Sequence, residues 1–187
     1  MSSESKREQI ISAADQLFYQ NGFEHTSFAH IAEAVNISRG NFYYHFKTKD
    51  DILDAVINRR LKNTQTMLDQ WVSEADSPAE RIASFINILL MNQANILQFG
   101  CPVGTLTTEL SKLDHLALQD ASKVFTLFRI WLKHQFKQLG HKKNADELAM
   151  HLLARSQGVA TLASAFNDKK FIKQEVKQLH AWLGQYI

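Results

Sequence analysis

The sequence has little of what staples or bends a chain. With one cysteine, Cys101, in 187 residues, no intrachain disulfide can form, which fits a reducing interior. Prolines number two, Pro78 and Pro102, and glycines seven, mostly where helices can end. No segment alternates apolar and polar residues with β-branched side chains, so strands are not expected. The hairpin-like dipeptide Asn21-Gly22 follows a helical pattern and reads as a helix C-cap. The longest apolar stretch, Ile86 to Met91 broken by Asn87, is far too short to span a bilayer. The opening Met1-Ser-Ser-Glu-Ser-Lys-Arg has no apolar run behind it, so no secretory signal is expected. A net charge of +2 is too small to mark a nucleic-acid binder by itself.

Reaction motifs are missing too. There is no His-Glu-x-x-His, Cys-x-x-Cys, Walker loop or Gly-x-Ser-x-Gly, so no catalytic residue, metal site or cofactor is expected. His30 with Glu33, and Glu147 with His151, have helical spacing but no further ligands nearby and read as exposed ion pairs. At 45% hydrophobic and 21% charged residues, the composition is that of a soluble globular protein. The expectation is a cytoplasmic, non-enzymatic, all-α chain with no membrane association.

What is present is helical periodicity. Ile10, Ile11, Ala14, Leu17 and Phe18 recur at helical spacing until Gly22 stops the run. Thr26 or Ser27 caps a second helix with Phe28, Ile31, Ala32 and Val35 on one face. Asn36-Ile37 makes a tight turn, and Ser38 opens a third helix in which Phe42 and Phe46 share one edge. Two capped helices joined by a short turn with an apolar plug spell helix-turn-helix.

The third helix then presents Arg39, Asn41, Tyr43 and Tyr44, with His45 between them and Lys47 and Lys49 beyond. Arg39 has the geometry to pair with guanine and Asn41 with adenine. Tyr43 suits a thymine methyl, while Tyr44 and His45 suit phosphates. The N–H groups behind Ser38 lie where a phosphate can approach. Gly40 in the first turn costs roughly 1 kcal/mol relative to Ala, which close approach to DNA would explain. Lys49, at the start of the fourth helix, and Thr26 or Ser27, at the start of the second, would grip phosphates from either side.

Residues from about 8 to 60 resemble the N-terminal DNA-binding domain of the TetR family of bacterial transcriptional regulators. The resemblance is carried by Ile11-x-x-Ala14-x-x-Leu17-Phe18, Gly22-Phe23, Thr26-Ser27, Ile31-Ala32 and Val35-x-Ile37-Ser38. It continues through Gly40-x-Phe42-Tyr43-Tyr44-His45-Phe46 and Lys49-x-Asp51-Ile52-Leu53. Asn41 departs from the small or hydroxyl residue usual there, and bears on which operator is read. The resemblance implies a homodimeric repressor that binds palindromic double-stranded operator DNA and is released by a small-molecule effector.

The fourth helix, from Lys49 to about Ala75, would be about 40 Å long at 1.5 Å per residue, more than a DNA-binding domain needs. Ser77-Pro78-Ala79-Glu80 is a capping box opening a fifth helix that runs to about Leu97. A short sixth helix covers Thr105 to Ser111, a seventh Asp114 to Leu139, and an eighth Asn144 to Ala165; Asn167-Asp168 precedes the last, making about nine. Trp71, Met91, Phe99, Cys101, Phe125, Phe128 and Trp131 fit two readings, the lining of a ligand cavity or a packed core. Cys101, just before Pro102, likewise fits a reactive thiol or a small buried apolar residue. The last two helices have wide apolar faces that suit a four-helix bundle with their copies in a second subunit. The expected division is a helix-turn-helix domain over residues 1–48 and a larger helical ligand-binding and dimerisation domain over 49–187.

Overall fold

The computed structural model describes residues 5–187, with every side chain except that of Arg39. The described residues contain ten α-helices and no strand, and they gather into two compact units. One holds the residues up to Lys62 together with Thr105–Ser122; the other holds Asn63–Gly104 and Lys123–Ile187.

In the first unit, α1 (Lys6–Asn21) starts where the Ser5 hydroxyl accepts the Glu8 N–H at 3.2 Å. It stops at Gly22, whose φ of +88° with ψ 158° lies in a region essentially reserved for glycine. α2 (Phe28–Ala34) is capped by Ser27 in a reciprocal box, with His30 where Glu or Gln is usual. His30 Nδ1 accepts the Ser27 N–H at 3.3 Å while Ser27 Oγ accepts the His30 N–H. This corrects the ion-pair reading of His30 with Glu33: the imidazole is a helix cap. The turn passes through Asn36 at φ 51°, a left-handed conformation that Asn tolerates better than most residues. Ser38 then caps α3 (Arg39–His45) through the Asn41 N–H.

α4 (Lys49–Glu74) opens on a second box, in which Thr48 Oγ1 accepts the Asp51 N–H and Asp51 Oδ2 accepts the Lys47 and Thr48 N–H groups. Those hydrogen bonds, led by the ones from Thr48, hold the exposed Asp51 carboxyl below its ordinary range. Packing closes the unit: Phe42 and Phe46 lie in a core with Ile10, Phe18, Ile31, Ile52 and Leu53, joined by Leu106 and Leu110. Burying each such side chain contributes about 1.5–3 kcal/mol.

The second unit is built on α5 (Pro78–Met91), opened by the Ser77–Glu80 capping box. The expected run to Leu97 is interrupted at Asn92, whose amide donates to the Ile88 carbonyl at 3.2 Å and competes with the helical ladder. α6 (Gln93–Phe99) follows as a separate short helix, and Gly100, at φ 77°, ends it. α7 (Pro102–Lys112), which from Thr105 on belongs to the first unit, begins earlier than expected, with Pro102 in its first turn; α8 (Leu118–Gln138), in the second unit from Lys123, begins later, after a turn through Asp114 at φ 49°. α9 (Ala145–Phe166) and α10 (Lys169–Leu183) complete the fold, followed by a 3₁₀ turn over Gly184–Tyr186.

Ile172, Val176, Leu179 and Leu183 turn the apolar face of α10 into this unit's own core. Its outer residues Lys173, Gln174, Lys177 and Gln178 are exposed. Arg155 joins α9 to α10 through Glu175 at 2.5 Å. The hydrogen-bonded guanidinium of Arg129 holds the Asp146 carboxyl down at about 2, with Lys133 assisting. His151 stacks on Trp182 with ring centroids 4.8 Å apart. No single helix among the described residues is long and apolar enough to cross a membrane.

Candidate functional site

α3 is anchored along one edge and open along the other. Phe42 and Phe46 are buried, and Phe42 packs on Phe28 of α2 at 5.1 Å. Ser38, Gly40, Asn41 and Tyr44 are exposed, Tyr44 at 79% of its surface. Tyr43 sits edge-on to Phe28 at 5.5 Å, so its ring is braced while 45% of it remains exposed. His45 is half-buried beside the Tyr44 ring, 5.2 Å between centroids. The side chain of Arg39 lies outside the described residues. A Cβ added at Gly40 would meet no atom within 4 Å, so nothing inside the protein requires glycine there. Beside Arg39, the open edge of the helix thus presents hydrogen-bonding and aromatic groups around a glycine at its second position, the side-chain types that major-groove reading uses.

Two of the expected phosphate-gripping residues are placed differently from each other. Ser27 is exposed at the start of α2. Thr26 is a correction: it is buried to 1%, and its hydroxyl donates inward to the Gly22 carbonyl at 2.7 Å, so it cannot reach a phosphate. Lys49 lies over the Phe23 ring at 4.2 Å and donates to the Phe23 and Glu24 carbonyls at 3.1 and 3.3 Å. Its ammonium is therefore fixed in place rather than free on a flexible stem. Lys47, from the same stretch, donates to the Tyr43 carbonyl and closes the end of α3.

A residue that sequence reasoning missed sits on the other side of that loop. Glu109 of α7 accepts the Phe23 N–H and the Glu24 N–H, one on each carboxylate oxygen, both at 2.9 Å. A Cβ on Gly22 would come within 2.9 Å of the same carboxylate, while the φ of +88° is what favours glycine there. No local pattern announces a partner so far away in sequence.

The second unit contains a cavity of about 200 Å³. Cys101, Phe125 and Phe128 of the expected set line it, with Phe85, Ile88 and Ile96. Four expected residues do not. Trp71 is 8% exposed and packs on Trp131 at 5.6 Å, so both indoles belong to the core. Met91 ends α5 at the Asn92 break and is 76% exposed, and Phe99, half-buried, is not among the residues that line the cavity. The polar liners Thr64, Asn92, Ser156 and Gln157 were missed, because small polar residues on a helix carry no sequence signal for a cavity.

A short second helix, a turn and a buried-edge third helix make a helix-turn-helix. Residues 10–56 match the domain described as bacterial regulatory proteins, tetR family. An uncharacterized HTH-type transcriptional regulator of Lactococcus lactis subsp. lactis is 34% identical over 110 residues, 58% of this chain and 56% of its own. HTH-type transcriptional regulator TtgR of Pseudomonas putida is 32% identical over 88 residues, 47% of this chain and 41% of its own. The matched stretches thus span about half the length of these curated relatives. The crystal structure of a TetR transcriptional regulator from Legionella pneumophila superposes with a TM-score of 0.86 at 26% identity, covering 100% of both chains. Residues 10–56 thus carry a tetR-family domain, and the chain as a whole is similar in fold to a TetR transcriptional regulator.

Proposed function

We propose that the protein is a ligand-controlled transcriptional repressor that binds a near-palindromic operator as a homodimer. The observation that carries this is α3: a helix locked at Phe42 and Phe46, exposing Asn41 and Tyr44, with a glycine in its first turn that no internal contact demands. Arg39, Asn41 and Tyr43 read base edges in the major groove. The Ser38 end of α3, Ser27, Tyr44, His45 and Lys49 hold phosphates. Two such helices enter successive major grooves about 34–36 Å apart. Dimerisation through α9 and α10 pairs them.

The small-molecule effector binds the cavity lined by Cys101, Phe125 and Phe128. It releases DNA only if it prefers a form whose recognition helices are wrongly spaced, because equal affinity for both forms shifts nothing. The test is selection of an operator from random duplex DNA, followed by titration with variants. Lys49→Ala should weaken all sites alike and reduce the salt slope by about one. Asn41→Ala should change base preference instead; an unaltered preference would remove Asn41 from the readers. Affinity that stays flat across a several-fold rise in salt would overturn the DNA reading.

A further inference from the structure

The chemistry of the cavity wall narrows what can occupy it. Among the described residues no Asp, Glu, Lys, Arg or His lines it, and the rings of Phe85, Phe125 and Phe128 form part of its wall. The nearest charge along α9, Arg155, is committed to Glu175 at 2.5 Å. A charged ligand would lose its hydration and gain no counter-ion, a loss that neutral groups cannot offset. An apolar cavity of roughly 150 Å³ holds benzene, so about 200 Å³ admits a single substituted ring or two fused rings.

The polar liners differ in how well they are already satisfied. Ser156 Oγ donates to the Leu153 carbonyl at 2.7 Å, and the Asn92 amide donates to the Ile88 carbonyl at 3.2 Å. Gln157 Nε2 donates only to Cys101 Sγ, at 3.4 Å, and sulfur is a weak acceptor. The amide lies against bare backbone of α7: a Cβ on Gly104 would come within 2.4 Å of Gln157 Oε1. An oxygen acceptor on a ligand would replace the thiol as the partner of Gln157 Nε2 with a net gain.

We infer that the cavity takes an uncharged aromatic molecule bearing a carbonyl-type oxygen, which accepts from Gln157. This rests on the ligand-controlled reading above and names its ligand class. The test uses four probes of nearly one shape: acetophenone, α-methylstyrene, benzoate and benzamidinium, titrated calorimetrically into the full-length protein near pH 7. Acetophenone should bind most tightly, and each ion at least about tenfold more weakly. Gln157→Leu should weaken acetophenone by about three- to tenfold, the loss of one hydrogen bond, and leave α-methylstyrene unchanged. Ala160→Phe, and independently Ile88→Trp, should abolish binding of both by filling the space.

Equal or tighter binding of either ion overturns the ligand class, as does failure of all four probes to bind. Equal weakening of acetophenone and α-methylstyrene by Gln157→Leu overturns the hydrogen bond. Binding that survives both filled variants overturns the site. Each of these is read without DNA. Operator release in a compound screen therefore judges ligand control separately, and acetophenone binding that leaves the operator complex intact would count against control but not against the class.

Discussion

The carboxylate of Glu109 holds the backbone N–H of Phe23 at 2.9 Å and, through its other oxygen, the N–H of Glu24 at 2.9 Å. The carbonyls of the same two residues accept from Lys49 at 3.1 and 3.3 Å. The loop between α1 and α2 is thus gripped on both sides by opposite charges, and it sets where Ser27 begins α2. Glutamine at position 109 keeps one acceptor and turns an NH₂ toward the other N–H. Since a hydrogen bond to a charged group is worth about 1.5–3 kcal/mol, Glu109→Gln should speed amide exchange at Phe23 and Glu24. It should also weaken operator binding by roughly tenfold, about 1.4 kcal/mol. Unchanged protection at those two amides would show that the clamp does not hold the loop in solution.

Anchoring and reading are separable on α3. Phe42 is 1% exposed and Tyr44 79%, though they lie two residues apart. Phe42→Ala removes a core ring and should lower stability by about 3–5 kcal/mol. Tyr44→Ala should change stability by less than about 0.5 kcal/mol yet reduce operator affinity. Denaturant melts alongside DNA titrations distinguish the two. A Tyr44→Ala protein that binds its operator undiminished would take Tyr44 out of the interface.

How much of this was legible follows the range of each interaction. Ser38, Ser77 and the Phe42–Phe46 edge are local devices, complete within four residues, and the sequence displays them openly. The cap by His30 is equally local but uses an imidazole where Glu or Gln is usual, so the residue read as half of an exposed ion pair with Glu33. The break at Asn92 was hidden because apolar residues continue on both sides of it. Glu109 and Phe23 are 86 residues apart, and no periodicity connects them. In the cavity, large aromatics drew attention while Trp71 and Trp131 were packing on each other. Gln157 went unnoticed because its partner Cys101 is 56 residues away and no local pattern joins them.

Asp146 offers a pH signature in the second unit. Arg129 holds its carboxyl near 2, against an ordinary 3.8. A carboxyl depressed by folding stabilises fully above its unfolded value, and the contribution disappears as pH falls from that value through the folded one. The stabilisation should thus be constant above about pH 5 and fade between roughly pH 4 and 2. Carboxyl carbon shifts followed by NMR should place its midpoint near 2. Arg129→Ala should return the midpoint toward 3.8; a midpoint already at the ordinary value in the unsubstituted protein would mean the pair is not formed in solution.

The proposed dimer makes unequal demands on α9 and α10. Ala154, Gly158, Leu162 and Phe166 form an exposed row along α9 at intervals of four residues, with Phe166 75% and Leu162 45% exposed. Small residues at one end let a partner helix approach, and large ones at the other give it apolar surface. The outer residues of α10, Lys173 and Lys177 among them, are polar and would repel their own copies if they met squarely. The α9 row should therefore carry most of the contact. Phe166→Asp, or Gly158→Glu with its bulk and charge, should give a monomer by sedimentation while leaving the helical content intact. Because a dimer joins two half-sites at high effective concentration, operator affinity should fall by about 100-fold or more. Dimers that persist in both variants at micromolar concentration would move the interface off α9.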